Sequence, residues 1–168
     1  MTNSEAGRMG RAGRVAWCFA GLLVALVVAA APATAGPLQD ALEGSWSGYG
    51  WLTMAGGERE KIQCSASYGG AGTGLAVTLR CVSVSYSLDG RADLTLAGGR
   101  VDGAWSERSF GVAGSVSGRA GDRSLSLILT GPAMRADVGL TSDRCKQTLS
   151  IDLDGTSIRS ISVGMRRC

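Results

Sequence analysis

The sequence has 168 residues, with 17 basic and 14 acidic side chains, 26 glycines, five cysteines and no histidine. The lack of histidine excludes Ser-His-Asp and Cys-His catalysis and histidine-ligated metal sites. Residues 1–35 hold three of the basic and one of the acidic groups, so the remainder balances 14 against 13 and carries no basic footprint for nucleic acid.

At the N-terminus, Arg8, Arg11 and Arg14 precede an apolar run from Val15 to Ala33, followed by Thr34, Ala35, Gly36 and Pro37. A basic start, an apolar middle and small residues flanking a cut make a secretory signal, with cleavage expected after Ala35. No twin-arginine pair is present, so the general secretory route is expected. The rival reading is an uncleaved anchor, because the run approaches the ~20 residues of a spanning helix. The small-x-small site favours cleavage, which leaves no stable membrane span and a periplasmic or secreted protein. Residues 36–43 read as a linker or helical turn, and residues 44–168 as a single domain with one modest core.

From Gly44 onward the apolar period is 2. Leu149, Ile151 and Leu153 point one way, with Ser150, Asp152 and Asp154 opposite. The same alternation runs through Leu75 to Cys81, Phe110 to Gly118, Leu125 to Leu129 and Met134 to Leu140. Glycine-containing breaks at 55–57, 69–74, 89–91, 97–99, 118–122, 131–132 and 154–155 separate eight to ten short strands. This predicts an all-β fold, a small antiparallel barrel or, second, a β-sandwich. Glycines inside strands let a sheet coil and favour the barrel.

Cys18 leaves with the signal, and Cys64, Cys81, Cys145 and Cys168 remain. An even number in an exported chain predicts two disulfides rather than a metal site, and no C-x-x-C spacing supports zinc. Three pairings are possible, and register favours Cys64–Cys81 across a hairpin, with Gly70 facing Leu75. Cys145–Cys168 then needs a longer loop, a bulge, or a tail that folds back.

The segment Trp46 to Leu52 carries the most information about binding. Trp46, Gly48, Gly50 and Leu52 share one strand face, and Tyr49 and Trp51 share the other. Tyr and Trp exposed together mark interface centres; the alternative is that a loop or the 36–43 segment covers them. Trp105 and Glu107 also share a face, where Glu107 is expected to pair with Arg108, Arg119 or Arg123. Glu58 and Glu60, alternating with Arg59 and Lys61, read as a solvated strand face. Asp152 to Gly155 reads as a turn rather than a calcium loop.

Gly44-Ser45-Trp46, opening the first strand, resembles the Gly-x-Trp that begins the barrel of the calycin group, the lipocalins and avidins. The resemblance implies that Trp46 plugs one end of the barrel while the other admits a small ligand. The expected function is a non-enzymatic binding protein for a small apolar or amphipathic ligand, without cofactor or metal. Trp46, Tyr49, Trp51, Trp105 and Glu107 are the candidate contacts. The alternative is an envelope interaction module that binds another protein through a sheet edge or the Tyr49/Trp51 face.

Overall fold

The computed structural model describes residues 36–168; the expected signal peptide lies outside the described residues. A short helix, α1 (Pro37–Leu42), leads into ten strands: β1 (Gly44–Met54), β2 (Arg59–Gly69), β3 (Gly74–Val82), β4 (Ser87–Ala97), β5 (Arg100–Glu107), β6 (Val112–Ala120), β7 (Ser124–Thr130), β8 (Arg135–Asp143), β9 (Lys146–Asp154) and β10 (Ile158–Arg166). Each strand pairs antiparallel with its neighbours in sequence, and β1 pairs with β10 to close the ring. The predicted barrel forms with ten strands, and the sandwich does not. Closure satisfies every edge among the described strands, so docking through a sheet edge has no template here.

Residues 36–43 form the helical turn. Pro37 occupies the first helical position, where its missing N–H is no loss. The Gln39 side chain accepts from the Gly36 N–H at 2.8 Å and donates to the Gly74 carbonyl at 2.7 Å. Leu38 and Leu42 are buried against the barrel. Gly44, at φ +104°, then turns the chain into β1.

Trp46 is 1% exposed, and its indole N–H donates to the Leu42 carbonyl at 2.7 Å. The Arg167 guanidinium lies 4.7 Å from the Trp46 ring centroid and donates to the Glu43 and Arg144 carbonyls at 2.7 and 2.8 Å. Helix, tryptophan and arginine together shut this end of the barrel. Cys145–Cys168 holds the tail that carries Arg167: the tail folds back onto the β8–β9 turn. Cys64 and Cys81 stand opposite each other in the β2–β3 register and are bridged.

Two expected breaks differ. β4 runs straight through Gly90, and the turn falls instead at 83–86, where no glycine marks it. There the Ser83 N–H donates to the Tyr86 carbonyl at 2.8 Å, and the Tyr86 N–H donates to the Ser83 hydroxyl at 3.1 Å. β6 extends to Ala120, two residues past Gly118. Strand glycines here shape the wall rather than end strands: a Cβ at Gly48 would collide with the Gly164 carbonyl of β10.

Candidate functional site: a hollow barrel

Alternation sends one face of every strand inward, but the interior is filled on one side only. On β1, β2 and β10 and at the end of β3, Leu52, Ile62, Cys81, Ile161 and Met165 are at most 2% exposed. Inward residues elsewhere, such as Leu79, Val112, Leu129, Met134, Val138 and Leu153, are only half-buried although no strand covers them from outside. They face a cavity of about 460 Å³ bounded mainly by β3 to β9. It opens at the end opposite α1, between the β5–β6, β7–β8 and β9–β10 turns. Phe110, Pro132, Met134 and Thr156 stand at this mouth.

Trp105 forms part of the wall. Its register partner is Gly114, and a Cβ there would meet the indole nitrogen at 2.7 Å. The absent side chain lets the ring cross β6 and donate to the Thr130 carbonyl on β7 at 3.3 Å. An aromatic ring covering a cross-strand glycine supports a curved sheet.

Glu107, 6% exposed, closes β5 at the mouth. The expected arginine partner is corrected: Arg108 pairs with Asp89 at 3.5 Å and Arg123 with Asp143 at 3.0 Å. The Glu107 carboxylate instead accepts the backbone N–H groups of Asp89, Ser109 and Phe110 at 2.7, 3.0 and 2.6 Å. Burial alone would raise its pKa, but these bonds to the charged form outweigh that and hold it below the ordinary carboxylate range. Glu60 works similarly on the 83–86 turn. Hydrogen bonds from Ser85 and Ser83 lower its pKa, and its carboxylate accepts the Ser85 N–H at 3.2 Å.

At the deep end, Tyr68 lines the cavity and donates to the Gln147 side-chain oxygen at 3.0 Å. Burial raises the phenol pKa well above its usual value, so the hydroxyl stays neutral. The Gln147 amide nitrogen is buried without a partner among the described residues.

Of the residues singled out from sequence, Trp105 and Glu107 meet in the cavity. Trp46 lies in the plug at the far end. Tyr49 and Trp51 lie on the outer wall, 71% and 41% exposed, and α1 does not cover them. Arg59 sits 4.7 Å over the Trp51 ring. Sequence reasoning missed Phe110 as a rim residue and Tyr68 as a wall residue. Phe110 continues the inward parity of β6, and its place in a turn was the only signal that it stands at an opening.

No family model matches the sequence. No curated protein matches it either. Solved structures share the fold. The crystal structure of Rv2717c from M. tuberculosis aligns with a TM-score of 0.63 at 19% identity, covering 80% of this chain and 99% of that one. The S-type phycobiliprotein lyase CPES from Guillardia theta aligns with a TM-score of 0.58 at 9% identity, covering 77% and 90%. The expectation of a non-enzymatic protein is thereby corrected: a protein named as a lyase is built on this barrel, so the fold does not remove enzymes from consideration. No helix among the described residues is long and apolar enough to cross a membrane. What these comparisons establish is a ten-stranded antiparallel barrel of the kind found in a phycobiliprotein lyase.

Proposed function

We propose that this is an exported protein, cut after Ala35, whose barrel binds a small apolar or amphipathic ligand. The open cavity of about 460 Å³ carries the reading, because a hollow lined by Leu, Val and Met side chains is a wet apolar surface that a ligand would cover. The Gly44-Ser45-Trp46 opening with its buried, capped tryptophan agrees with a barrel shut at one end and open at the other. The two disulfides favour an oxidising compartment.

Native mass spectrometry of protein purified from its own host is the direct test, with a co-purified small molecule as the expected result. Val138→Trp, which projects a large ring into the hollow, should eliminate that adduct while the circular dichroism spectrum stays unchanged. An adduct surviving in Val138→Trp would place the ligand elsewhere, and a wild-type protein free of ligand and inert to apolar probes would defeat the reading. N-terminal sequencing of the exported form should begin at Gly36.

A second reading rests on Tyr49, which is 71% exposed beside Trp51 on the outer wall. Such a pair supports contact with an envelope protein. Crosslinking in the host should then yield a partner with wild-type protein and none with Trp51→Ala.

A further inference from the structure

We propose that the cavity selects uncharged ligands and rejects carboxylates, with Glu107 as the specificity-determining residue at its mouth. The inference rests on the ligand-binding reading above and narrows it to a chemical class: long or flat apolar molecules whose polar group is neutral, such as an alcohol, ester or ketone.

The argument begins with charge. Among the residues that bound the hollow, Arg91 is the one cation, and it is exposed and alternates outward between the inward Gly90 and Ala92. The remaining wall offers no lysine or arginine side chain as counter-ion to an anion. The polar groups at the deep end, Tyr68 and Gln147, are neutral; burial keeps the phenol protonated. An unpaired carboxylate taken into such a wall would lose its hydration with nothing to replace it.

Glu107 adds a repulsion at the entrance. Three backbone N–H groups hold its carboxylate in one place and in its charged form. The nearest cation in sequence, Arg108, is engaged by Asp89. A ligand carboxylate would therefore pass a fixed, largely buried like charge beside an apolar wall, where Coulomb repulsion is less screened than in bulk water. A neutral head group escapes both penalties while its apolar body gains the same burial.

The test uses a matched pair of fluorescent polyenes, trans-parinaric acid and its methyl ester, titrated at mildly alkaline pH and read by energy transfer from the barrel's tryptophans. The ester should bind at least about tenfold more tightly than the acid, a modest repulsion at this range. Equal or tighter binding of the acid, with both compounds bound, overturns charge selection and leaves the ligand-binding reading standing. Binding of neither compound overturns both. Ala133→Lys supplies a cation at an exposed rim position, where the core is not disturbed. It should raise affinity for the acid by about tenfold with little change for the ester. Acid affinity that Ala133→Lys leaves unmoved would count against an electrostatic origin.

Discussion

Glu107 shows what a single inward carboxylate does when no arginine reaches it. Its three N–H donors come from β4 and from the β5–β6 turn, so one side chain fixes two elements at the mouth. Charge-assisted bonds of this kind are worth more than neutral ones. Glu107→Gln should therefore destabilise the protein by about 2 kcal/mol at neutral pH in urea melts, since hydrogen bonds to a charged group contribute in that range. The acid dependence has a definite sign. Because the native pKa is depressed, the stabilisation is complete above the ordinary carboxylate value of ~4.3 and is lost as pH falls through the lower native value. The difference between wild type and Glu107→Gln should shrink over that acidic window, and a difference that grew on acidification would refute this account. The inward position of Glu107 was legible from the face it shares with Trp105. Its partners were not, because backbone donors in a turn leave no trace in residue identity.

At the scale of elements, the period-2 alternation read correctly wherever side chains were large, and misread where the wall needed glycine. Gly90 looked like a break but faces inward within β4. The 83–86 turn holds no glycine or proline to mark it, and Ser83 and Glu60 supply the bonds that a glycine turn would not need. Gly48 gives the sharpest check on glycine's role in the wall. A methyl group there runs into the Gly164 carbonyl, whereas one at Gly69, also in a strand, meets nothing within 4 Å. Gly48→Ala should lower the melting temperature well below that of Gly69→Ala, and equal melting would mean that β1 can move away from β10. The plug is likewise an element-scale device, because Trp46 joins α1, β1 and the C-terminal tail. Trp46→Ala should cost about 3–5 kcal/mol, the range for emptying a buried aromatic site, and Arg167→Ala should cost less, because its cation–π contact is worth about 0.5–2 kcal/mol and its two hydrogen bonds to the Glu43 and Arg144 carbonyls are exposed to solvent.

For the molecule as a whole, the decisive property is that stability and vacancy occupy different sides of one barrel. The packed side, β1, β2 and β10 with the Cys64–Cys81 bridge, contains most of the side chains with almost no exposure, whereas the hollow is bounded mainly by β3 to β9. Sequence could show that both sets face inward, but alternation is blind to how far apart opposing walls stand; that distance follows from strand number and tilt. The two functions should therefore separate by mutation. Replacing Cys145 and Cys168 with serine should destabilise the closed end by about 3 kcal/mol, the loop-entropy value for a bridge of this span. Hydrogen exchange should quicken around α1 and β10 as the tail carrying Arg167 loosens. Apolar-probe affinity should hardly change, because the mouth lies at the other end of the strands. Val138→Trp should give the converse, unaltered exchange at the plug with binding lost. If loosening the plug also abolished binding, the packed and hollow sides would be one cooperative unit, and the cavity's shape would depend on the far end of the barrel.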